Sequence, residues 1–263
     1  LILGRDNLHI ENNIFAIRKW DAIDFEDGEK LAIHCLWRPF EGAVNNYVER
    51  TGSTNDDVME FSGIGSHVSS SWQDSGRGRR NRKWYSIEQS YAGSWIIAEG
   101  INISPGLIQL AGGLAFLNSI KDIRLKLKWP NDILFENRKI CGILVEGKSI
   151  GKNTKVVIGI GINLRGDENF EGFEIASLDE ISDISHDTID ARLNIELSSM
   201  LEEKDDIPPV DFEGIKKQVH DLMLDCGKPK FEGKIYQKFE LNERGELVLD
   251  GVIVDDGEDV EWI

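Results

Sequence analysis

Residues 125–164 read LKLKWPNDILFENRKICGILVEGKSIGKNTKVVIGIGINL. Leu125–Trp129 alternates Leu with Lys, the pattern of a strand with one face buried, until Pro130, which has no N–H to continue a ladder. Ile140–Val145 is a second strand. Val156–Leu164 is apolar nearly throughout, as expected of a strand covered on both faces. Pro105 opens a helix upstream, with Ser104 as its N-cap and Leu107, Leu110, Leu114 and Leu117 at helical spacing. Helices mixed with strands in this way predict an α/β or α+β core.

Further out, Val44–Glu49 reads as a strand, and Ser53-Thr54-Asn55 supplies cap-type residues before a short helix. Ile189, Leu193, Leu197 and Leu201 stripe one helix; Phe212, Ile215, Val219 and Leu222 stripe another. The charged, Pro-containing stretch Glu202–Pro209 lies between them. Beyond Cys226–Pro229 come short strands punctuated by Arg244-Gly245, Asp250-Gly251 and Asp256-Gly257, which suggests a small β-barrel. Residues 10–40 form a hairpin pattern, with runs at Ile14–Trp20 and Leu31–Trp37 and a turn signal at Asp27-Gly28. The expected division is an N-terminal extension over 1–43, a main domain over 44–226 and a small C-terminal domain over 227–263.

The chain has 263 residues, with 30 basic against 47 acidic side chains and a net charge of −17. A surface this negative repels phosphate backbones and anionic lipid, which argues against nucleic-acid and membrane partners. Cys35, Cys141 and Cys226 are too far apart for a disulfide framework or a zinc site, so a reducing, cytoplasmic setting fits.

Against that acidic background stands GRGRRNRKW, Gly76 to Trp84, with five cations in the seven residues from Arg77 to Lys83. Such a cluster repels itself and is easier to fold around an anion. Guanidinium forks grip phosphate or carboxylate oxygens bidentately. Gly76 and Gly78 are expected to allow close backbone approach and dihedrals closed to other residues. Trp84 can stack on a base or on a cation.

Other phosphate motifs fail. GIGINL, Gly159 to Leu164, lacks the third glycine of a dinucleotide fingerprint. GKSIGKN, Gly147 to Asn153, is one residue short of a Walker loop and ends in Asn instead of Ser or Thr. The five histidines have no metal spacing. KWPND, Lys128 to Asp132, presents Asn131 and Asp132 at a strand end, and KICGILVE, Lys139 to Glu146, puts a lysine at the head of a buried strand with Gly142 open to close approach.

Taken together, Ser53-Thr54-Asn55, Gln73, Gly76–Trp84, Lys128–Asp132, Lys139–Glu146 and Gly159–Asn163 stand in the order and spacing of the biotin protein ligases. The chain resembles that family over about residues 44 to 263. The resemblance implies an α+β fold, an α/β-type mixed sheet with flanking helices in a class II synthetase-like catalytic core, with a small C-terminal SH3-like β-barrel. It implies a ligase that uses ATP and Mg2+ to activate biotin as biotinyl-5′-AMP. The biotin then passes to a lysine of a biotin carboxyl carrier protein or a biotin-dependent carboxylase; a homodimer is also compatible.

Carried over by position, Ser53, Thr54, Asn55, Gln73, Gly76, Arg77, Arg79, Lys139, Gly142, Ile143 and Leu144 would bind biotin. Arg77, Arg79, Arg80, Arg82, Trp84, Asn131, Lys139 and Asn163 would bind ATP. Lys139, Arg79 and Asp132 would be catalytic, with Asp132 also the candidate magnesium ligand. Asn81 stands where the family loop usually has Gly, and Asn is the side chain that best tolerates a left-handed backbone. Residues 1–43 do not read as a helix-turn-helix, so a repressor role is not expected. Two alternatives remain: a lipoate or octanoate ligase of the same fold, and a non-catalytic biotin-binding module.

Overall fold

The computed structural model describes residues 23–24, 30–31 and 43–263, apart from 88, 100–104, 151–152, 167–168, 171–172, 202–211 and 255–256. Strands β1 (Ile23–Asp24) and β2 (Lys30–Leu31) pair antiparallel, and the Asp27-Gly28 turn signal lies outside the described residues. The longer runs expected there, the Ser104 cap and the Glu202–Pro209 stretch lie outside the described residues.

The centre is a seven-stranded sheet. Its strands are β3 (Asn45–Thr51), β4 (His67–Gln73), β5 (Gln89–Glu99), β6 (Leu125–Lys128), β7 (Asp132–Phe135), β8 (Arg138–Ile150) and β9 (Asn153–Arg165). Their order is β3-β4-β5-β9-β8-β7-β6. Only β3 and β4 run parallel, so the sheet is mixed, as expected. β7 was not expected. Ile133-Leu134-Phe135 is short, and the turn after it uses Glu136 and Asn137, both left-handed with φ of 50° and 64°. Glu is uncommon in that conformation, so the turn carries no ordinary sequence signal.

Helix α1 (Thr54–Met59) covers one face of the sheet; α2 (Pro105–Ile120), α3 (His186–Leu201) and α4 (Phe212–Leu224) pack on the other. On β9, Ile158, Ile160 and Ile162 point into the large core with α2, while Val157 joins Val58, Val68 and Ile96 beneath α1. The apolar reading of Val156–Leu164 is thus met by burial on both faces. α2 sits close because it presents glycine: a Cβ on Gly112 would lie 2.4 Å from Ile158 Cδ1.

After β10 (Asn169–Phe170) and β11 (Phe173–Glu174), which pair as a short hairpin, the chain ends in two three-stranded antiparallel sheets. One contains β12 (Pro229–Phe231), β13 (Lys234–Ile235) and β17 (Val260–Trp262); the other contains β14 (Glu240–Leu241), β15 (Leu247–Leu249) and β16 (Val252–Val254). They form a small SH3-like module. Asp250 and Gly251 make a two-residue turn with φ of 48° and 84° between Leu249 and Val252, as their sequence promised.

α3 is tied to the sheet by buried polar groups. Asp190 Oδ1 lies 3.1 Å from His67 Nε2 and accepts the Tyr91 hydroxyl at 2.7 Å. Trp95 Nε1 donates to Asn194 Oδ1 at 2.7 Å. Burial alone would push the Asp190 carboxyl up, but His67, Tyr91 and His186 outweigh it and hold the group below the usual carboxylate range. Because the native value is lower than the unfolded one, this contribution is complete above roughly pH 4 and is lost as pH falls through the native value. Asp190→Asn should therefore lower the thermal midpoint at neutral pH, and its gap from the parent should close in acid. A gap independent of pH in thermal scans would detach Asp190 from the acid sensitivity.

Candidate active site

The strand register builds the floor of a cleft. Residues directly opposite in an antiparallel ladder share a face. Across β5, β9 and β8 the rows are Ala92–Gly161–Gly142, Ser94–Gly159–Leu144 and Ile96–Val157–Glu146. α1 covers the last row through Val58, and the missing side chains of the glycine rows make room for Asn55 over Gly159 and for the Trp84 indole over Gly161 and Gly142. The cleft is a small cavity of about 50 Å³ that opens to solvent. Its lining includes Ser53, Thr54, Asn55, Gln73, Arg77, Trp84, Asn131, Lys139, Gly142, Ile143 and Leu144. Sequence positions 100 residues apart thus meet in one place.

At the entrance to α1, the Ser53 carbonyl accepts the N–H groups of Asp56 and Asp57, each at 3.1 Å, whereas its hydroxyl makes no cap. Thr54 N–H donates to Gln73 Oε1 at 2.8 Å, and the Thr54 and Ser94 hydroxyls are 2.7 Å apart. Ser94 donates to Asn55 Oδ1 at 2.6 Å, and Asn55 Nδ2 donates to Glu146 Oε2 at 2.6 Å. Ser94 and Glu146 are functional candidates that the sequence reading left without a role. The alternation of Ala92 and Ser94 with Tyr91, Gly93 and Trp95 is the signal that could have found Ser94.

The basic segment folds as a small hairpin. Arg77 and Lys83 form a bridge, Trp84 N–H donates to the Gly76 carbonyl at 2.9 Å, and Arg82 N–H donates to the Arg79 carbonyl at 3.2 Å. The left-handed pair at the tip is Arg80 and Asn81, with φ of 54° and 58°. Asn81 therefore does what glycine does elsewhere. Neither Gly76 nor Gly78 is left-handed, contrary to expectation. Gly76 is needed for space instead, since a Cβ there would lie 2.9 Å from the Trp84 carbonyl oxygen.

The hairpin divides its cations. Arg77 is clamped: Nη1 and Nη2 reach Asp56 at 2.8 and 2.6 Å, and Nε reaches Glu146 at 2.9 Å. Hydrogen bonds to Asp56 and then Glu146 hold its guanidinium charged well above the usual range, and Arg77 in turn holds Asp56 low. Arg79 and Arg80 line a second, wider cleft that shares Gly78 and Leu144 with the first. Arg82 donates from Nε to the Arg79 carbonyl at 3.3 Å and lies outside both linings.

Lys139, on β8, puts its ammonium 2.6 Å from Asp132 Oδ1 and 5.4 Å from the centre of the Trp84 ring. The indole spreads over the glycine floor: a Cβ on Gly161 would lie 2.7 Å from it and one on Gly142 2.9 Å. Asn131 donates to the Ile143 carbonyl at 3.1 Å, bracing the KWPND turn, whose Trp129–Pro130 bond is cis. Asn163 is not brought into the cleft lining. It is buried, and its amide donates to the carbonyls of Lys139 and Ala176 at 3.2 and 3.0 Å, so it anchors the backbone of Lys139.

No group of three His, Cys, Asp or Glu side chains suited to a metal occurs among the described residues. Asp132 is moreover paired with an ammonium. Magnesium is usually held by one or two carboxylates together with substrate phosphates, and Asp132 could serve one only by sharing or giving up its contact with Lys139.

The family model of the biotin/lipoate A/B protein ligases matches residues 50–163. The bifunctional ligase/repressor BirA of Escherichia coli is 32% identical over 225 residues, covering 76% of this chain and 70% of that protein. The chain belongs to the biotin protein ligase family. Another family member, the biotin–[acetyl-CoA-carboxylase] ligase of Paracoccus denitrificans, is 32% identical over 130 residues, and the shared region spans 53% of its length. The biotin protein ligase from Aquifex aeolicus, solved with biotin and ATP, superposes with a TM-score of 0.64 at 25% identity, covering 82% of this chain and 97% of that one.

The glycine floor gives a direct test. A Cβ on Gly159 would lie 2.3 Å from Asn55 Oδ1, an atom that already accepts from Ser94 and cannot yield. Gly159→Ala should cost about 1–3 kcal/mol in denaturant unfolding. Gly52→Ala meets nothing within 4 Å and should be close to neutral. Equal effects of the two would remove the steric account of the floor.

Proposed function

We propose that this protein is an ATP-dependent biotin–protein ligase. The reading is carried by the meeting of Ser53-Thr54-Asn55, Gln73, the arginine hairpin, Asn131 and Lys139 around one glycine floor. A buried chain of hydroxyls and amides beside that floor suits a ureido ring. A lipoate or octanoate ligase would bury an aliphatic tail there and leave those groups unpaired.

In the first step the biotin carboxylate attacks the α-phosphorus of ATP; the bond to the bridging oxygen breaks and pyrophosphate leaves. Two anions must approach, so the barrier is largely electrostatic. Lys139, oriented by Asp132, supplies positive charge where the carboxylate and the α-phosphate meet. Arg79 and Arg80, on the wall of the second cleft, face the polyphosphate. Magnesium would arrive with ATP as part of the substrate, the phosphates supplying ligands of their own. Trp84 stands over Lys139 and the floor, where it can pack against the adenine and exclude water from the mixed anhydride.

In the second step the neutral amine of a carrier lysine attacks the acyl carbon, an amide bond forms and AMP departs. Asp132 uses one oxygen on Lys139, and its second would orient the incoming amine and accept its proton. The acceptor is a biotin carboxyl carrier protein or a biotin-dependent carboxylase. Among the described residues no helix is long and apolar enough to cross a membrane. Cys141 and Cys226 are free thiols, in keeping with the cytosol.

Radiolabelled biotin, offered with ATP and a carrier domain, should be transferred, and lipoate should not compete. Absence of any acyl-adenylate would overturn the reading. Lys139→Ala should cut adenylate formation by about 100-fold or more with the fold retained, a loss typical of removing one preorganised charge. Pyrophosphate release at the parent rate would remove Lys139 from the chemistry. Arg79→Ala should weaken ATP binding in calorimetry more than biotin binding; unchanged ATP affinity would show that the hairpin is not the anion cradle.

A further inference from the structure

Glu146 lines the second cleft and is absent from the lining of the biotin cleft, yet it touches two residues that shape the latter. Its carboxylate is gripped by Arg77 through Nε at 2.9 Å and Nη2 at 3.0 Å. A carboxylate is an acceptor only. The Asn55 atom that meets it at 2.6 Å is therefore the amide nitrogen, and the Asn55 oxygen must face Ser94.

That oxygen accepts, so Ser94 spends its single proton there, at 2.6 Å. Thr54 Oγ1 has two acceptors in reach, Ser94 Oγ at 2.7 Å and Gln73 Oε1 at 3.1 Å; with the Ser94 proton spent on Asn55, only donation to Ser94 avoids two hydroxyl lone pairs facing each other across the shorter contact. Gln73 Oε1 is held by the Thr54 N–H at 2.8 Å, and Gln73 Nε2 is turned toward Gly76. Every proton in the chain is thus assigned from the charged end.

We infer that Glu146 is a positioning residue that fixes the proton order of the Asn55–Ser94–Thr54 chain. It thereby decides which atoms at the ureido end of the cleft donate and which accept. Toward the cleft, Thr54 Oγ1 is left as an acceptor and Gln73 Nε2 as a donor, matching the N–H and C=O groups of a ureido ring. The inference rests on the biotin reading given above. Discrimination between biotin and acids without a ureido group then originates in a residue that never touches the ligand.

An exchange of partners tests it. Asn55→Asp sets two carboxylates against each other and removes the donor. Biotin affinity should fall at least about tenfold, the scale of a buried polar group losing its partner. Asn55→Asp combined with Glu146→Gln restores the order, because the new amide donates to the new carboxylate, whose other oxygen still accepts from Ser94. The double variant should recover most of the lost affinity. A residue that merely fills space or clamps Arg77 would leave the double variant no better than Asn55→Asp.

Ser94→Ala provides a check in a variant that only removes an oxygen. Once that link is cut, adding Glu146→Gln should cost little further biotin affinity. The thermal midpoint serves as a control in both sets. Failure of the exchange to recover affinity, or strictly additive losses in the Ser94 pair, would overturn the inference while leaving the ligase intact. A parent protein that binds no biotin would overturn the ligase reading itself.

Discussion

The cleft depends on a period of two in one strand. β9 runs Val157, Ile158, Gly159, Ile160, Gly161, Ile162. Its isoleucines enter the core against α2, and its glycines lie on the opposite face. Because successive side chains of a strand alternate between faces, filling one side and emptying the other are the same structural fact. Register extends this floor sideways, since Gly161 stands opposite both Gly142 and Ala92. A slip of one residue on β8 would put Ile143 or Cys141 beside Gly161 and close the site.

Charge is concentrated and then divided. In a chain of net charge −17, the basic hairpin would repel itself if all its cations pointed one way. Arg77 instead spends its donors on Asp56 and Glu146, which ties the hairpin to α1 and β8. Arg79 and Arg80 are carried to the neighbouring cleft by a turn at Arg80 and Asn81. Lys139, balanced by Asp132, stands on the floor. The hairpin is thus an anchored arm with its charge at the tip.

The C-terminal module takes part in this arrangement. The Trp129 indole N–H donates to the Gly245 carbonyl at 2.9 Å, and a Cβ on Gly106 would lie 2.4 Å from the Arg244 carbonyl oxygen. The start of α2 is therefore packed backbone to backbone on the Arg244-Gly245 turn, and the KWPND turn reaches the same turn through the Trp129 indole. Their contact forms one wall of the second cleft, so the SH3-like module helps to shape the wall opposite Arg79 and Arg80.

Much of this was legible in the chain. Hydrophobic spacing marked α2, α3, α4 and the central strands, because burial leaves a period in the sequence. The basic loop, KWPND and KxxGILxE stood out because their residue types are costly to place without a ligand or partner. Asn81 was readable because few side chains accept a left-handed backbone. Other features had no local signal. β7 was hidden by a Glu-Asn turn, and the position of Asn163 by a motif that shows its neighbours in sequence but not the carbonyls it holds. Ser94 and Glu146 are ordinary residues until β5 and β8 bring them to Asn55. Which donor meets which acceptor is a property of distances across strands far apart in sequence, and only the folded register sets those distances.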